Sequence, residues 1–341
     1  KMKNFWKNKN VFVTGINGFI GGNLSKLLLT NGANVFGLIR DLNKDTFIYF
    51  ESLTDKITFI NGDLTNKDLI SRIISEYRID AVFHFAAQVE VGVALNNPYS
   101  TYETNIRGTY ALLDGIKQSA TKVQSIIIAS SDKAYGSYPS SMMPYKEEYP
   151  LKPIFPYDVS KACADLIAQS YANEPFNMPI VVTRFCNIFG PGQLNFSAII
   201  PDAIRAALNH SKFIPRGNGK QVRDYIYVED VADLYLKMSQ NIFLNPKKFR
   251  GQIFNAGTKK GRSVKEILKN VYTICENKFG YDKILLLMKK RSPLGEIDKQ
   301  IMDYKKINKF IGWEPQYTFN DGLTKTIKWY KNYLSNKYDK V

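Results

Sequence analysis

The sequence has few of the residues that build metal centres. Its 341 residues include two histidines, His84 and His210, and three cysteines. Cys163, Cys186 and Cys275 lie far apart and lack the paired spacing of metal ligands. We therefore expect no structural zinc site.

Long apolar runs, linkers and repeats are also missing. No stretch approaches the ~18 apolar residues that span a bilayer. The Lys-rich start leads directly into a strand pattern rather than into the apolar region of a signal peptide. No internal period or low-complexity tract interrupts a chain that is 44% hydrophobic and 13% aromatic. These features predict a folded cytoplasmic protein with no membrane segment.

The formal charge of +16 arises from 47 basic and 31 acidic residues. The lysines occur singly or in pairs along the chain and become denser only near its two ends. Because nucleic-acid binding needs basic residues gathered on one face, this scatter predicts no nucleic-acid partner. A positive field favours a small polyanionic substrate instead.

Short apolar strand patterns alternate with helical patterns through the first half of the chain. This alternation predicts an α/β protein, a Rossmann-type doubly wound parallel sheet with a smaller, mostly helical substrate-binding lobe. The predicted strands are 11–14, 34–39, 57–60, 81–85, 124–129 and 180–184, and the clearest helices among them are 23–29 and 67–77.

The alternation weakens after Gly190, where 196–208 has a helical pattern and 221–228 an extended one. We place an NAD(P)-binding Rossmann domain at 1–189, rejoined by about 225–259. The substrate-binding lobe is then 190–224 and 260–341.

A glycine-rich turn joins the first predicted strand to the first predicted helix. Gly15, Gly18 and Gly21 let the backbone approach a pyrophosphate, and the helix N-terminus offers N–H groups and a partial positive charge. The ends of the third and fourth predicted strands fall where the rest of a dinucleotide should pass. The residues predicted to bind the cofactor are Gly15, Asn17, Gly18, Phe19, Ile20, Gly21, Arg40, Asp63, Leu64, Phe85, Ala86, Ala87, Tyr157 and Lys161.

The end of the second predicted strand bears on the choice between NAD and NADP. An acidic residue there holds the ribose hydroxyls of NAD, whereas an arginine accommodates the 2′-phosphate of NADP. The sequence has Arg40 followed by Asp41. Arg40 favours NADP, and Asp41 keeps NAD open.

Ser131 and the segment Tyr157 to Lys161 form the catalytic pattern. Residues four apart share one face of a helix, so the Lys161 ammonium can lie near the Tyr157 phenol and lower its pKa. A tyrosinate can then take the proton of a sugar hydroxyl while a hydride leaves the same carbon. Ser131, at the end of a predicted strand, can hydrogen-bond the reacting oxygen.

These motifs together resemble the extended short-chain dehydrogenase/reductase superfamily over nearly the whole chain. The resemblance is carried by the glycine turn at 14–21, the Tyr/Lys segment at 157–161, and the segments 187–192, 223–230 and 312–315. It implies a homodimer formed through the helices near residues 97–118 and 158–174.

The segment Ser130 to Gly136 resembles the Thr/Ser-Asp-Lys element of CDP-glucose 4,6-dehydratases within that superfamily. Asp132 and Lys133 directly follow Ser131. The resemblance implies that Asp132 protonates the departing C6 hydroxyl and that Lys133 removes the C5 hydrogen after C4 is oxidised. The segment 223–228 has the form that is general in the superfamily rather than the form of CDP-glucose 4,6-dehydratases. GDP-, UDP- and dTDP-linked sugars therefore remain alternative substrates.

The same resemblance implies a site for the nucleotide sugar. We expect Asn187, the backbone near Asn195 and Arg223 to meet the phosphates, because arginine pairs two phosphate oxygens at once. The full set of expected substrate-binding residues is Gln88, Asn187, Asn195, Arg223, Arg291 and Glu296, the last two reaching the nucleoside.

Two other functions fit parts of the pattern. A nucleotide-sugar 4-epimerase uses Ser131, Tyr157 and Lys161 and leaves Asp132 and Lys133 as a solvated ion pair. A non-catalytic NAD(P)-binding or RNA-binding protein needs only the fold. The intact Ser/Tyr/Lys set argues against the second, and the Asp-Lys pair argues for a dehydratase over the first.

Overall fold

Parallel strands form the central sheet of the protein, in a computed structural model that describes residues 2–41, 43–289 and 297–338. The strands are β1 (Asn10–Thr14), β2 (Asn34–Ile39), β3 (Ile57–Asn61), β4 (Ala81–His84), β5 (Ser125–Ala129), β6 (Ile180–Phe185), β7 (Asn187–Phe189), β8 (Val222–Tyr227), β9 (Ile253–Ala256), β10 (Gly261–Ser263) and β11 (Lys299–Gln300). Seven of them pair in the order β3-β2-β1-β4-β5-β6-β9. This arrangement confirms the predicted α/β fold class.

Helices cover both faces of that sheet and build the lobe beyond it. They are α1 (Met2–Phe5), α2 (Phe19–Thr30), α3 (Phe47–Phe50), α4 (Lys67–Glu76), α5 (Val91–Asn96), α6 (Pro98–Tyr102), α7 (Gly108–Gln118), α8 (Pro156–Ala172), α9 (Ile199–Leu208), α10 (Val228–Leu244), α11 (Pro246–Phe249), α12 (Val264–Ile274), α13 (Lys278–Leu287), α14 (Lys305–Ile311) and α15 (Phe319–Tyr338). A π-helical turn (Glu103–Arg107) joins α6 to α7, and short 3₁₀ turns lie at Thr54–Lys56, Asp132–Tyr135 and Ser140–Met142.

The central strands are mostly apolar and are buried on both faces. All four residues of β4 and all six of β6 are buried, which is the pattern expected where helices cover both sides of a parallel sheet. One apolar cluster lies between the sheet and α2 and α10, and another between the sheet and α4, α7 and α8. The sheet is therefore the rigid platform of the site.

A second, smaller sheet lies beside the first. It contains β10, β8 and β11, and β7 pairs with β8. Helices α9, α12 and α15 pack against it around a third apolar cluster. The chain returns to the large sheet through β9. The division into two lobes with the predicted boundaries stays a prediction.

The carboxyl ends of the central strands meet at one edge of the large sheet. Thr14, at the end of β1, pairs in register with His84, at the end of β4, and Ile128 of β5 lies opposite His84. Loops leaving parallel strands at this edge form the ligand crevice of doubly wound folds. The predicted residues that follow β1, β4 and β5 therefore lie on neighbouring loops, whereas Tyr157 and Lys161 lie on α8.

The helices start earlier or later than the sequence predicts in two places. α2 begins at Phe19, within the glycine-rich turn, rather than at 23, and α9 begins at Ile199 rather than at 196. Within the described residues, none of the helices combines the length and apolarity needed to cross a membrane. The same residues contain no group of three metal-ligating side chains.

Candidate active site

A cleft of about 1290 Å³ opens at the carboxyl edge of the sheet and continues toward the smaller sheet. It brings together most of the residues predicted from the sequence. Those lining it are Gly15, Asn17, Gly18, Phe19, Ile20, Gly21, Arg40, Asp63, Leu64, Phe85, Ala86, Ala87, Ser131, Asp132, Lys133, Tyr157, Asn187 and Asn195. Gln88, Lys161 and Arg223 are not among its lining residues.

The turn after β1 fits a pyrophosphate. Gly15 has a φ of +71°, and a Cβ there would lie 2.6 Å from the backbone nitrogen of Ala86. A Cβ on Gly21 would lie 2.3 Å from the Gly15 carbonyl oxygen. Helix α2 begins with no side chain capping its first turn, so its N–H groups point toward the cleft without a side-chain partner. We call this turn, Gly15 to Gly21, the glycine cradle. It needs glycine because the backbone segments approach too closely for a Cβ.

Arg40 and Asp63 both line the cleft and belong to its predicted cofactor-binding residues. Arg40 is exposed and lies near enough to Asp63 for its charge to lower the pKa of that carboxyl. Hydrogen bonds from the Thr65 side chain and backbone lower the same pKa more strongly. Asp41 also lines the cleft, so both residues that bear on cofactor choice are in place.

The segment after β5 forms a tight turn in which the Asp132 side chain is buried. Ser131 caps the 3₁₀ turn Asp132–Tyr135, its hydroxyl accepting the Lys133 backbone N–H at 3.2 Å and donating to Asp132 Oδ1 at 3.1 Å. Asp132 is 3% exposed, and its Oδ2 is a buried oxygen with no hydrogen-bond partner among the described residues. Lys133 Nζ donates to the Gln300 side-chain oxygen. Asp132 and Lys133 are therefore not the solvated ion pair of the alternative interpretation.

Tyr157 and Lys161 lie on the first two turns of α8. Contrary to the sequence-based expectation, the pKa of Tyr157 is raised, first because of burial and then because of the Asp132 charge, although a hydrogen bond with Ser131 opposes the shift. Lys161 is not among the groups acting on Tyr157. Its Nζ donates to the Ala129 carbonyl oxygen at 2.9 Å, and burial lowers its pKa to about 8. Burial therefore dominates the pKa of both side chains.

A buried ion pair fixes α8 to the sheet. Arg184 of β6 donates from Nε to Asp165 Oδ2 at 2.7 Å and from Nη2 to Oδ1 at 3.0 Å. Its Nη1 donates to the Tyr135 hydroxyl at 3.0 Å, and that hydroxyl donates to Asn255 of β9 at 2.8 Å. One guanidinium thus connects β6, the catalytic helix and the end of the Asp132–Tyr135 turn.

The residues expected to bind substrate lie in several places. Asn187 lines the large cleft and also a smaller adjoining cavity of about 210 Å³, whose lining includes Arg223. Asn195 is at the large cleft, where its side chain accepts the Ser197 N–H at 2.9 Å. Gln88 is held by Asn105, which bonds both its backbone N–H and its carbonyl. The predicted residues Arg291 and Glu296 lie outside the described residues.

Sequence reasoning missed three charged or polar residues at this site. Arg216 lines both cavities, and an arginine within a glycine-rich turn before a predicted strand was an available signal. Asp158, beside Tyr157, is buried at 5% exposure, and its position next to the predicted base was the signal. Gln300 meets Lys133 from a strand 167 residues away, for which no local pattern exists.

Comparisons with known proteins agree with this geometry. The family model described as GDP-mannose 4,6 dehydratase matches residues 12–326. A CDP-glucose 4,6-dehydratase of Salmonella typhimurium is 30% identical, over 97% of this chain and 93% of that protein. Among solved structures, a UDP-glucose 4-epimerase of Thermotoga maritima with UDP-glucose has a TM-score of 0.83 at 29% identity, covering 95% of this chain and 99% of the other. A dTDP-glucose 4,6-dehydratase of Bacillus anthracis in complex with NAD has a TM-score of 0.80 at 26% identity, covering 95% and 97%.

Gly15→Ala should weaken dinucleotide binding. The new Cβ would collide with the Ala86 backbone, and a left-handed alanine costs roughly 1–2 kcal/mol, so affinity should fall by at least about 10-fold. Isothermal titration with NAD and NADP measures this. Gly312→Ala is the matched control, because Gly312 has a φ of +67°, lies outside the cleft lining, and would carry a Cβ with no atom within 4 Å. Equal affinities in the two variants would contradict the assignment of the cradle.

Proposed function

Because this chain belongs to the GDP-mannose 4,6-dehydratase family, we propose that it converts a CDP-linked hexose to the 4-keto-6-deoxy sugar nucleotide. It is a nucleotide-sugar 4,6-dehydratase and thus a hydro-lyase. Such an enzyme removes water from the sugar with no net change in oxidation state. CDP-glucose is the first candidate, because the Salmonella relative carries that name and the Asp132–Lys133 pair resembles its family.

The observation that carries this proposal is the burial of Asp132 beside Ser131 and Tyr157. A buried carboxyl with an unpartnered oxygen is costly unless a ligand or a proton satisfies it. A C6 hydroxyl leaving as water needs a proton donor at such a position. Because Asp132 also lines the cleft, we assign this oxygen to protonation of the leaving hydroxyl.

The first step of the proposed reaction is oxidation of the sugar at C4. Tyr157 accepts the proton of the C4 hydroxyl, and Ser131 hydrogen-bonds the same oxygen. A bound nicotinamide would supply the acceptor and later the donor of a hydride, and its positive charge in the oxidised form would favour the tyrosinate at Tyr157. Lys161, whose Nζ donates to the Ala129 carbonyl oxygen, is assigned to the cofactor ribose.

Elimination of water uses the two residues after Ser131. The C4 ketone acidifies the C5 hydrogen, and Lys133 takes that proton as a neutral amine. The C–H electron pair forms the C5–C6 double bond, and the C6 hydroxyl leaves as water with a proton from Asp132. The hydride that the reduced cofactor would return adds at C6, and the proton that Lys133 returns adds at C5, so the double bond is saturated and the 4-keto-6-deoxy sugar is left.

A 4-epimerase is the nearest alternative, and one structural neighbour has that activity in its name. Epimerisation needs Ser131, Tyr157 and Lys161 but no acid and base for elimination. The hydrogen bonds of Asp132 to Ser131 and of Lys133 to Gln300 support the dehydratase, because they orient both side chains at the site.

Lys133→Met should stop the reaction after C4 oxidation. Methionine keeps most of the side-chain length but cannot accept the C5 proton, so reduced nicotinamide should accumulate to as much as one equivalent per site. Product formation should fall by about 10²-fold or more. Absorbance of the reduced cofactor and mass analysis of the sugar measure the two quantities.

Asp132→Asn is the matched variant for the acid. It should block water loss yet still permit exchange of solvent deuterium at C5, because Lys133 remains. Full dehydration by Lys133→Met would refute the assigned base, and a wild-type enzyme that only inverts C4 would refute the dehydratase.

We infer from Arg40 that the cofactor is NADP rather than NAD. Its exposed guanidinium at the rim of the cleft suits a 2′-phosphate. The dinucleotide extracted from the purified protein should be NADP, and Arg40→Ala should weaken NADP binding by about 10-fold or more while changing NAD binding little. Lys44 lies outside the cleft lining, so Lys44→Ala is the control. Extraction of NAD alone would overturn this choice.

The nucleoside diphosphate is assigned to the region where the two cavities meet. Asn187 and Arg216 line both, and Arg223 lines the smaller one. Arg216 Nη2 donates to the Ser197 carbonyl oxygen at 3.2 Å, which holds the guanidinium at the junction. Two arginines and an amide provide the bidentate donors that a diphosphate requires.

A homodimer is supported by exposed apolar side chains on adjacent helices. Tyr99 of α6, Tyr110 of α7 and Leu166 of α8 are 74%, 43% and 56% exposed. Clustered apolar groups on packed helices are typical of an interface. This face coincides with the helices that the sequence resemblance predicted.

Leu166→Arg should convert the dimer to monomer, because burying an unpaired guanidinium in an apolar interface is unfavourable. Light scattering after size exclusion measures the mass. Leu286→Arg, on α13 and 86% exposed, is the control and should stay dimeric. A monomeric wild type, or a dimeric Leu166→Arg, would contradict the assigned face.

A further inference from the structure

Gln300 is a buried amide that two apolar residues follow along the chain. It is 1% exposed, and Ile301 and Met302 after it are also buried. Its Oε1 accepts a hydrogen bond from Lys133 Nζ, and its Nε2 is a buried nitrogen with no hydrogen-bond partner among the described residues. Because a buried amide with an unpartnered donor is costly, packing alone favours an apolar side chain here. The contact with Lys133 accounts for the amide.

The backbone that carries this amide is fixed by two neighbouring segments. β11 pairs with β8 of the smaller sheet, where Gln300 lies opposite Arg223. The next residue, Ile301, accepts the Tyr145 backbone N–H at its carbonyl oxygen, at 2.8 Å. The strand therefore has a defined place, and the Gln300 side chain meets Lys133 from a fixed backbone rather than from a loop.

Two carboxylates of the described residues lie close to Lys133 in addition to this amide. Asp132 precedes it in the 3₁₀ turn, and Asp158 lies on α8, where the Lys133 charge acts on it. Negative charges favour an ammonium over a neutral amine. The base of the elimination must be the neutral amine. An uncharged acceptor at Gln300 fixes the side chain without adding a third negative charge.

The other charged groups on the elements packed against this turn have partners of their own. The turn packs against α8 and β6. Arg184 of β6 is paired with Asp165 of α8, and Lys161 of α8 donates to the Ala129 carbonyl oxygen. These groups are therefore engaged away from Lys133.

We propose that Gln300 is a positioning residue for Lys133, a neutral acceptor that holds the amine in place without supplying a charge that would keep it protonated. This inference rests on the proposed function of Lys133 as the base. An ammonium and a neutral amine both have N–H groups to donate, so the amide oxygen holds Lys133 before and after proton transfer. While the neutral amine donates to Gln300, its lone pair remains available for the C5 hydrogen.

Two variants of Gln300 separate position from charge. Gln300→Glu keeps an acceptor at nearly constant shape but adds a negative charge, whereas Gln300→Met keeps the length and removes the acceptor. Competitive labelling of lysines with acetic anhydride, read by peptide mass across a pH series on the holoenzyme, gives the pKa of the Lys133 amine without any substrate. This pKa should rise by about one unit or more in Gln300→Glu and should not rise in Gln300→Met.

A kinetic measurement then tests the role in elimination. With CDP-glucose at neutral pH, both variants should incorporate solvent deuterium at C5 about 10-fold more slowly, while the rate of nicotinamide reduction changes less. The acid limb of the exchange rate should move to higher pH in Gln300→Glu, so a higher pH should restore exchange there. It should not restore exchange in Gln300→Met, because that variant lacks the acceptor and not the neutral amine.

Thr326→Val is the matched control for the loss of a buried polar group beside the smaller sheet. Thr326 of α15 is fully buried and donates to the Gly322 carbonyl oxygen at 2.6 Å. It lies outside the cleft lining, so this variant should leave both rates and the pKa of Lys133 unchanged. In a Lys133→Met background, Gln300→Met should cause no further loss of C5 exchange.

The outcomes separate this inference from the proposed function. An unmoved Lys133 pKa in Gln300→Glu overturns the inference, as does an equal loss of both rates in Gln300→Met, which indicates a packing role. If Lys133→Met keeps full C5 exchange, the assigned base fails instead. If the wild type does not act on CDP-glucose, the assigned substrate fails, and the labelling still decides whether Gln300 holds Lys133.

Discussion

The buried ion pair between Arg184 and Asp165 is the contact on which the site geometry depends. Its two side chains are 3% and 0% exposed. A charge pair this deep is stable only when its geometry and remaining hydrogen bonds are satisfied, and Arg184 meets both conditions with the carboxylate and the Tyr135 hydroxyl. It therefore sets the distance from the sheet to the helix of Tyr157 and to the turn of Asp132.

The parallel sheet places the residues of the site next to one another. Its central strands end at one edge, so Gly15, Ala86 and Ser131 follow β1, β4 and β5 onto neighbouring loops. The backbone of Gly15, after β1, lies in close contact with the backbone of Ala86, after β4. The proposed dinucleotide and sugar sites then share one cleft, because β7 leaves the same edge to pair with β8 in the smaller sheet.

The features that the sequence predicted are local ones. Strand patterns predicted the parallel sheet and its first six strands along the chain, since runs of apolar residues form buried parallel strands. The glycine turn and the Ser131 to Lys133 segment each lie within a few residues. The contact of Lys133 with Gln300 and the anchoring of α8 by Arg184 are set by tertiary pairing and leave no local pattern. The raised pKa of Tyr157 was also missed, because spacing on a helix indicates proximity to Lys161 but not the larger effect of burial. Each predicted role for a catalytic side chain stays a prediction.

The central claim is that the site removes water from a nucleotide sugar, and one experiment tests it most directly. The wild-type protein is incubated with CDP-glucose in heavy water, with GDP-, UDP- and dTDP-linked hexoses in parallel, and the products are analysed by mass and NMR. The account predicts a 4-keto-6-deoxy product that has lost one water and carries one solvent deuterium at C5. A product of unchanged mass with inverted C4, or no product from any of the four, would contradict it.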